Sequence, residues 1–566
     1  MTMTDYPALA DLLFPDVTET PEEMEQRFPA RHLPEGAKVT RFAPSPTGYV
    51  HFGGLFPSVV GERLAHQSGG VFYLRIEDTD NKREIDGAAK ALIETLARYG
   101  IHFDEGAVLN EAGEICDKGL YGPYRQSERG PIYHVYAKQL VREGKAYPCF
   151  CTKEELERLE AEDKKTEIKT KDWHTEDGGQ QEWERRDAQR CVTMESVKEH
   201  LQNGDPFVLR ILADGDGEKR LKTSDLIKGD LELPVNDEDF VLLKSNGIPT
   251  YHFAHAVDDH LMRTTHVIRG DEWLSSLPKH LQLFRYLGFR APKYMHIATI
   301  MRLDENGNKK KLSKRDLGAN LNDYEKLGYV PEAVREYILT LLNSNFEEWH
   351  AQNPDKTADD FPFSIKKMSA SGCLFDTDKL NDISKNILAA MSAEEICRRI
   401  TAWAQNFDPE FAALLLRNPD YAERILAVGR GGTKPRKDLC TLADAREYMG
   451  FYYDELFSPA YAFPENLQKE DVLAILREYP AQYEGTDTQD EWFAKLKKMA
   501  EEHGFAPDMK QYRKTPEAFR GSVADIAMVL RIAITGKTQS PDTYCVMQIL
   551  GKQKLTERIK KAAEVL

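Results

Sequence analysis

The sequence has few of the features that mark membrane, secreted or fibrous proteins. It has no apolar run of the roughly 18 residues that a membrane span needs, and residues 1–16 have neither a basic leader nor an apolar core, so we expect no signal or transit peptide. Only eight cysteines occur in 566 residues, most of them isolated, which argues against a disulfide framework. With 37 Gly and 28 Pro the composition is that of a globular protein, not of collagen or low-complexity disorder. These absences predict a cytoplasmic protein that does not bind membranes.

Positive charge is also scarce overall, with 76 basic against 93 acidic residues and a net charge of −17. This balance at first argues against a nucleic-acid partner, because phosphate binding uses Lys and Arg. The charge is unevenly distributed, however: residues 1–36 have eight acidic and two basic side chains, whereas Met301–Arg315 has six basic and two acidic ones. An acidic protein with such local basic patches can still bind RNA over a small footprint.

The first hundred residues predict a parallel sheet with helices on its faces. A strand-like run, residues 38–43, leads through a Pro/Gly-rich turn to a helix that we expect to begin at about Leu55, with Pro57 in its first turn. Val71–Ile76 has the length and residue types of a buried strand, and a helical face of Ile85, Ala89, Leu92, Leu96 and Tyr99 follows it. Alternating strand and helix patterns favour parallel strands with right-handed crossovers.

The rest of the chain predicts an insertion, a return to the sheet and a helical end. A charged stretch, residues 152–190, begins with a predicted capping box at Thr152–Glu155 and suggests an inserted module. Strand and helix signals return over residues 240–300, and from about Ser384 onward Ala, Leu, Lys and Glu recur at helical spacing. A chain of 566 residues is longer than a single hydrophobic core usually supports, so we expect three or four domains.

Two local patterns suit phosphate chemistry, although each is weak alone. His51-Phe52-Gly53-Gly54 places a side-chain donor and two small residues where a strand turns into a helix, and the N-terminus of a helix attracts anions. Lys311-Leu312-Ser313-Lys314-Arg315 clusters ammonium groups that could stabilise charge on transferring phosphates. By itself the first pattern is more often a structural turn, and the second a solvated surface loop.

Taken together, the two patterns resemble the paired nucleotide signatures of class I aminoacyl-tRNA synthetases. Further segments narrow the resemblance to glutamyl-tRNA synthetases of the bacterial type, strongly over residues 38–345 and weakly beyond. These segments are Arg41–Gly48, Ile76–Asp80, Gly122–Ser127, Pro249–Ala254, Val257–His260 and Val267–Leu274.

The resemblance implies an enzyme that joins L-glutamate to ATP as glutamyl-adenylate and passes the glutamyl group to the terminal adenosine 2′-hydroxyl of tRNA(Glu). His51, Lys311 and Lys314 would be the catalytic residues, and Gly53, Gly54 and Ser313 would complete the ATP site, with Mg²⁺ as cofactor. Such chemistry needs positioning and charge neutralisation more than a protein nucleophile. The family also implies a monomer, and the residues leave open whether tRNA(Gln) is charged as well.

By resemblance, two arginines would bind the acidic substrate, because a guanidinium holds a carboxylate bidentately. Glu77 would meet the α-ammonium group. His255 departs from the family, in which many members have Asn at this position. The alternative is that the aromatic residues are core residues and the arginines form surface ion pairs. The full predicted glutamate site is Arg41, Ala43, Ser45, Glu77, Tyr251, His255, Arg269 and Trp273.

Two further predictions concern metal and anticodon. Cys149, Cys151 and Cys191 are similar to a zinc-binding insertion of some relatives, but no His follows the third Cys, so we expect inert buried thiols and no zinc. Residues 531–541 resemble the segment with which relatives contact the anticodon, so Arg531, Ser540 and Pro541 are candidate contacts to unpaired bases. A helix cap followed by a turn would explain the same residues.

Two other functions fit parts of the pattern. A glutaminyl enzyme would be expected to show a Pro-Glu-Pro-Asn first motif and C-terminal β-barrels, and neither signal is present. A catalytically silent tRNA-binding paralogue would have no need of His51, Lys311 and Lys314.

The predicted fold class is an α/β Rossmann-type catalytic domain with an α+β insertion, followed by an all-α anticodon-binding region. The predicted boundaries are an acidic extension at 1–36, the first catalytic half at 37–120, an acceptor-stem insertion at 121–249, the second catalytic half at 250–300, a Lys-rich loop and stem-contact region at 301–383, and a helical anticodon domain at 384–566.

Overall fold

The computed structural model describes residues 5–46, 48, 50–79, 85, 87–152, 155, 193–215, 218–312 and 320–566. The chain divides into two compact units. The first is Met1–Asn322 with Ile338–Phe375, and the second is Asp323–Tyr337 with Asp376–Leu566. Within the described ranges, no helix has both the length and the apolarity to cross a membrane.

Strands occur in the first unit, where they form the frame that holds the candidate site. In chain order the described strands are β1 (Val39–Phe42), β2 (Val71–Leu74), β3 (Glu105–Leu109), β4 (Ile115–Lys118), β5 (Ala146–Cys149), β6 (Val208–Ile211), β7 (Arg220–Asp225), β8 (Gly229–Pro234), β9 (Val241–Leu243), β10 (His266–Gly270), β11 (Lys293–Ile297), β12 (Met301–Leu303) and β13 (Lys309–Lys311).

Two four-stranded sheets meet to form one largely parallel surface. In the first, β1, β2 and β3 run parallel and β4 pairs antiparallel with β3. In the second, β10, β11 and β7 run parallel and β8 pairs antiparallel with β7. The Thr265 N–H donates to the Val39 carbonyl at 2.9 Å, so the chain entering β10 lies directly beside β1. The parallel sheet predicted from the strand and helix alternation is therefore confirmed.

The remaining strands form two smaller sheets. β5, β6 and β9 make an antiparallel sheet within the predicted insertion, and β12 and β13 form a hairpin just before the Lys-rich loop. Strand β7, also from the insertion, joins the second parallel sheet through Asp225 and Tyr294. Residues of the insertion thus reach the central sheet.

Helices alternate with most of these strands along the chain. Up to residue 352 the described α-helices are α1 (Tyr6–Leu13), α2 (Pro21–Arg27), α3 (Phe52–His66), α4 (Ala88–Arg98), α5 (Gly130–Arg142), α6 (Met194–Asn203), α7 (Tyr251–Leu261), α8 (Leu277–Tyr286), α9 (Leu321–Lys326), α10 (Pro331–Leu342) and α11 (Phe346–Gln352).

Two helix starts differ from the sequence prediction. Helix α3 begins at Phe52, so Gly53 and Gly54 lie in its first turn and Pro57 lies inside it. Pro57 has no N–H to donate to the carbonyl of Gly53, four residues earlier. Helix α4 begins at Ala88, and Ile85, which we had placed on its buried face, is 54% exposed. At Thr152 the predicted capping box is present, because the Glu155 N–H donates to Thr152 Oγ1 at 3.2 Å and Thr152 N–H donates to Glu155 Oε2 at 2.7 Å.

The regular secondary structure of the second unit's described residues is helical, as predicted, with loops between the helices. One large core of buried Leu, Ile, Ala and aromatic side chains holds it together. Val523–Thr535 forms a buried helix, and a capping box at Ser522 opens it. Its α-helices from residue 377 onward are α12 (Thr377–Ala390), α13 (Ala393–Phe407), α14 (Pro409–Arg417), α15 (Pro419–Leu426), α16 (Ala445–Met449), α17 (Lys469–Gln482), α18 (Gln489–Glu502), α19 (Met509–Lys514), α20 (Val523–Thr535) and α21 (Thr543–Val565).

Candidate active site

A cavity of about 390 Å³ opens at the carboxyl ends of the parallel strands of the first unit. Ligands of open parallel sheets bind at this edge, where adjacent strands present their following loops. The cavity contains most of the predicted site residues. Its lining is Arg41, Phe42, Ala43, His51, Gly53, Gly54, Phe56, Pro57, Glu77, Tyr251, Ile268, Arg269, Gly270, Glu272, Trp273, Ile297, Ala298, Thr299, Ile300, Lys311 and Leu312.

Arg41, at the end of β1, is a buried and charge-compensated guanidinium. Its Nε lies 3.3 Å from both carboxylate oxygens of Asp259, and its Nη2 donates to His255 Nδ1 at 3.4 Å. Burial alone would lower the pKa of Arg41, but the Asp259 carboxylate and the nearby Tyr251 and Tyr73 together more than offset it, so the pKa is raised. Asp259 thus balances the positive charge of Arg41.

Arg269, at the end of β10, has a different environment. Its Nε donates to His296 Nε2 at 2.9 Å, and its Nη1 donates to the Tyr251 hydroxyl at 3.2 Å and to His280 Nδ1 at 3.1 Å. Arg269 is 6% exposed, and within the described residues its buried Nη2 has no hydrogen-bond partner. Among the residues that the structure describes, no carboxylate forms an ion pair with Arg269. Arg269 therefore brings an uncompensated positive charge, and a donor still to be satisfied, to the cavity.

Glu77 brings a carboxylate to the same cavity, two residues after Arg75. Arg75 Nη2 donates to Glu77 Oε1 at 3.0 Å, while Arg75 Nη1 donates to Asp259 Oδ1 at 2.6 Å. Burial raises the pKa of Glu77, and the positive charges of Arg75 and Arg41 oppose that rise. An acceptor for a cationic group thus lies in one cavity with the guanidinium of Arg269.

Two aromatic side chains form one wall of the cavity. The rings of Tyr251 and Trp273 lie 4.6 Å apart between centroids, at 44° to each other. Trp273 is 39% exposed, and burial raises the pKa of Tyr251. This geometry shields one side of the cavity from water.

Two predicted glutamate-site residues do not line the cavity. His255 is fully buried behind Arg41, and its Nε2 lies 3.0 Å from the Tyr294 hydroxyl. Burial, together with the charges of Arg41 and Arg269, holds the pKa of His255 well below its ordinary value. Ser45 is exposed on the loop after β1. Direct substrate contact by these two residues stays a prediction.

The two sequence patterns that suit phosphate chemistry, one rich in Gly and one in Lys, meet at the other end of the cavity. His51 precedes α3, Gly53 and Gly54 lie in its first turn, and a Cβ added at Gly53 would meet no atom within 4 Å. Lys311 ends β13 and also lines the cavity, so residues 260 positions apart meet there. Ser313 and Lys314 lie outside the described residues.

Comparison with known proteins identifies the architecture. The family described as "tRNA synthetases class I (E and Q), catalytic domain" matches residues 38–382, and the family described as "Anticodon binding domain" matches residues 410–563. The chain is a class I tRNA synthetase of the E and Q family.

Relatives of this synthetase match nearly its whole length. Glutamate–tRNA ligase of Acetivibrio thermocellus is 49% identical over 559 residues, which are 98% of this chain and 100% of that protein. Glutamate–tRNA ligase of Clostridium perfringens is 45% identical over 561 residues, covering 98% of this chain and 99% of that protein. A crystal structure of the glutamate tRNA ligase of Elizabethkingia meningosepticum in complex with its amino acid has a TM-score of 0.71 at 28% identity, covering 94% of this chain and 99% of that one.

In the second unit of the synthetase, the three predicted anticodon residues share one cavity. Arg531, Ser540 and Pro541 line a space of about 350 Å³ together with Arg436 and Trp492. Arg531 Nε donates to Thr543 Oγ1 at 3.1 Å, and its Nη1 donates to the Thr538 carbonyl at 3.3 Å. Trp492, a buried core residue of α18, borders this space.

The predicted zinc ligands of the synthetase are only partly described. Cys149 is buried on β5. The pKa of Cys151 is raised to about 11, first by burial and then by the nearby Cys149 thiol. Cys191 lies outside the described residues, and among those described no group of three candidate ligands occurs.

Sequence reasoning missed the residues behind the two arginines. Asp259 was noticed only as part of a family segment, and His280, His296 and Asp225 were not singled out at all. These side chains reach the site from α7, α8, β11 and β7, and their spacing along the chain gives no signal that they converge.

Proposed function

We propose that the chain is a glutamate–tRNA ligase. It would activate L-glutamate with ATP to form glutamyl-adenylate and pyrophosphate, and would then transfer the glutamyl group to the terminal adenosine 2′-hydroxyl of tRNA(Glu), releasing AMP. Relatives named as glutamate–tRNA ligases, at 45–49% identity over nearly the full chain, support this activity.

The choice of amino acid rests on one observation: the buried Nη2 of Arg269 has no hydrogen-bond partner among the described residues. A buried guanidinium with an unpaired Nη2 and no carboxylate partner among the described residues is costly unless a ligand supplies the missing negative charge. A side-chain carboxylate would do so, with two oxygens that match the fork of the guanidinium. A neutral amide would leave the charge uncompensated, so glutamate is favoured over glutamine.

The other predicted glutamate residues would orient the substrate. Glu77 would accept hydrogen bonds from the α-ammonium group. Tyr251 and Trp273 would exclude water from one side, and Arg41, Ala43, Ser45 and His255 would complete the site. With the amino acid held in this way, an oxygen of its α-carboxylate attacks the α-phosphorus of ATP while the bond to pyrophosphate breaks. Such a step gains mainly from alignment of the reacting atoms.

The triphosphate would lie across the other end of the cavity. The first turn of α3 presents backbone N–H groups and the positive end of the helix dipole beside His51, Gly53 and Gly54. Lys311, with Ser313 and Lys314, would neutralise charge on the departing pyrophosphate. ATP would enter as its magnesium complex, because Mg²⁺ keeps phosphate and water oxygens as ligands.

The tRNA partner would be read in part by the second unit. The cavity of Arg531, Ser540 and Pro541 has a size and polarity that would suit an unpaired base. A monomeric, cytoplasmic enzyme is the form we expect.

The deciding experiment is aminoacylation with radiolabelled glutamate on separately purified tRNA(Glu) and tRNA(Gln). We expect charging of tRNA(Glu), and the result on tRNA(Gln) defines the range of partners. ATP–pyrophosphate exchange, with glutamate or glutamine and with or without tRNA, tests the first step separately. No charging of any tRNA, or exchange driven better by glutamine than by glutamate, would overturn the proposal.

A further inference from the structure

A cluster of four histidines, three of them buried and His252 half-buried, lies behind the aromatic wall of the cavity. His252 and His255 come from α7, His280 from α8 and His296 from β11. The rings of His255 and His280 lie 4.2 Å apart between centroids, and those of His252 and His280 lie 5.2 Å apart. Burying a charged imidazole is costly, so each ring must stay neutral or be paired with an opposite charge. A cluster held under this constraint calls for a role.

Arg269 fixes the protonation of one branch of the cluster. A guanidinium only donates hydrogen bonds, so His280 Nδ1, 3.1 Å from Arg269 Nη1, must be an unprotonated acceptor. A neutral His280 then has its proton on Nε2, which lies 3.0 Å from His252 Nδ1 and donates to it. The order of donation is therefore Arg269, His280, His252.

A second branch follows the same logic. His296 Nε2 accepts from Arg269 Nε at 2.9 Å, so the proton of His296 is on Nδ1 and is donated to Asp225 Oδ2 at 2.7 Å. Asp225 is held in turn, because its Oδ1 accepts from the N–H groups of Ile227 and Lys228 at 2.8 Å each. The orientation of His296, and through it that of Arg269, is thus set from β7.

The two arginines of the cavity are consequently held by opposite means. Asp259 holds Arg41 with a carboxylate, which cancels its charge. Neutral acceptors hold Arg269, which fix its position and leave its charge intact. Burial, with the nearby positive charge of Arg269, lowers the pKa of both His280 and His296, which agrees with neutral rings.

We propose that His280 and His296 are positioning residues that select an acidic amino acid by holding Arg269 without neutralising it. The inference rests on the proposed function, since it names how that site would recognise its substrate. A carboxylate in place of either imidazole would satisfy Arg269 internally and remove the charge on which the substrate's side chain depends.

A matched pair of variants at residue 280 tests the proposal. In His280→Asn the amide oxygen can take the place of Nδ1 as a neutral acceptor, whereas His280→Asp has nearly the same shape and adds one negative charge. Both lose the link to His252, so that effect cancels in the comparison. In ATP–pyrophosphate exchange, we expect the KM for glutamate to be at least about 30-fold higher in His280→Asp than in His280→Asn, as charge pairs in partly buried sites require. The KM for ATP should agree within about threefold between them, and kcat should change little.

Specificity gives a second readout that mere loss of packing would not produce. The ratio of kcat/KM for glutamate over glutamine should fall about tenfold or more in His280→Asp and stay near the wild-type ratio in His280→Asn. Equal values of KM and of this ratio in the two variants would overturn the proposal. Absence of glutamate-dependent exchange in the wild-type enzyme would instead overturn the proposed function.

A measurement on the wild-type protein covers the case in which His280→Asp does not fold. Imidazole ¹⁵N chemical shifts of selectively labelled histidine distinguish the two neutral forms and the cation. We expect a protonated Nε2 on His280 and a protonated Nδ1 on His296 from pH 8 to pH 6. A doubly protonated ring at either residue in this range would contradict the proposal, because the ring nitrogen that faces Arg269 would then be a donor and could not accept from the guanidinium.

Discussion

At the scale of single residues, the contrast between Arg41 and Arg269 matters more than their shared side chain. Both guanidiniums are buried and line one cavity. Asp259 compensates the first, while neutral imidazoles and a phenol accept from the second. We therefore expect stability to depend chiefly on Arg41 and recognition of the substrate's side chain chiefly on Arg269.

Substitution of Arg269 is expected to weaken glutamate selectively. In Arg269→Gln the fork and its charge are lost, and hydrogen bonds to charged groups contribute about 1.5–3 kcal/mol each. We expect kcat/KM for glutamate in ATP–pyrophosphate exchange to fall about 100-fold or more, chiefly through KM, with the KM for ATP little changed. Arg290→Gln, at an exposed position, is the matched control. An unchanged KM for glutamate would refute the role of Arg269.

Substitution of Asp259 is expected to act on the fold itself. Asp259→Asn leaves the buried guanidiniums of Arg41 and Arg75 without their shared carboxylate. Breaking a buried pair from one side costs about 3–5 kcal/mol. Urea unfolding should show a loss of this size, whereas Asp230→Asn, at an exposed position on β8, should leave the midpoint within error. A loss below about 1 kcal/mol would show that the charges are compensated in another way.

At the scale of elements, α7 and α8 are coupled, because histidines of the two helices contact each other. Three of the four clustered imidazoles come from these helices, and burial lowers their pKa, to about 4 for His252. The fold therefore binds fewer protons on these residues than the unfolded chain does.

This difference predicts a loss of stability in mild acid. A depressed histidine pKa stabilises the fold above the unfolded pKa near 6.5, and that contribution is lost as the pH falls toward the folded value. Each such histidine gives a slope of about 1.4 kcal/mol per pH unit below pH 6. His66, whose pKa is raised by its hydrogen bond to Asp104, and Glu77, whose pKa is raised by burial, oppose the trend. Urea unfolding at pH 7.0 and pH 5.5, followed by tryptophan fluorescence, should show a clear decrease, and the slope should be smaller in His280→Asn. A stability that is flat or rises toward pH 5.5 would contradict buried neutral rings.

Helix α20 gives a prediction for the second unit. Its capping box joins Ser522 and Asp525, and the Ser522 N–H donates to Asp525 Oδ2 at 2.7 Å. Ser522→Ala should lower the free energy of unfolding by about 1 kcal/mol. Calorimetry of this variant beside Thr486→Ala, at an exposed loop position, measures the difference. Equal transition temperatures would mean that the cap adds nothing.

The elements also show what the sequence can and cannot predict. Periodicity predicted the helical end of the chain and the parallel strands, because helices and buried strands each have a characteristic pattern. The start of α3 was wrong by three residues, since a Gly-Gly pair reads as a turn yet fits a first helical turn that lines a cavity. The resemblance predicted that Arg41, Glu77, Tyr251 and Arg269 share one site. All four line one cavity. The histidine cluster could not be predicted, because His280 and His296 owe their place to packing between distant segments.

At the scale of the whole molecule, the acidic extension is part of the first unit and packs against it. Leu9, Leu13, Phe14, Met24 and Phe28 are buried there. Lys138 of α5 donates to the carbonyls of Phe14 and Val17, at 3.1 and 3.0 Å, and Arg31 donates to Met262, just after α7, at 3.1 Å. The extension thus braces α5 and the end of α7 without lining the active-site cavity.

Removal of residues 1–36 should therefore lower stability without changing substrate affinity directly. Each buried large apolar side chain contributes about 1.5–3 kcal/mol relative to exposure, before the entropy of ordering the segment is subtracted. We expect a transition temperature lower by several degrees and a KM for glutamate within about threefold of wild type at 20 °C. Phe28→Ala, expected to cost about 3–5 kcal/mol, tests the same contact with a single change. A truncated protein of undiminished stability would show that the extension does not brace the unit.

The pairing of Val39 with Thr265 spans 226 residues and sets the timing of assembly during protein synthesis. At roughly 5–20 residues per second, a ribosome needs about 10–45 s to make the intervening chain. For that interval one side of β1 has no neighbouring strand, although its other side can already pair with β2. A nascent chain with this topology must keep a half-built sheet from associating with other chains until its second half is translated.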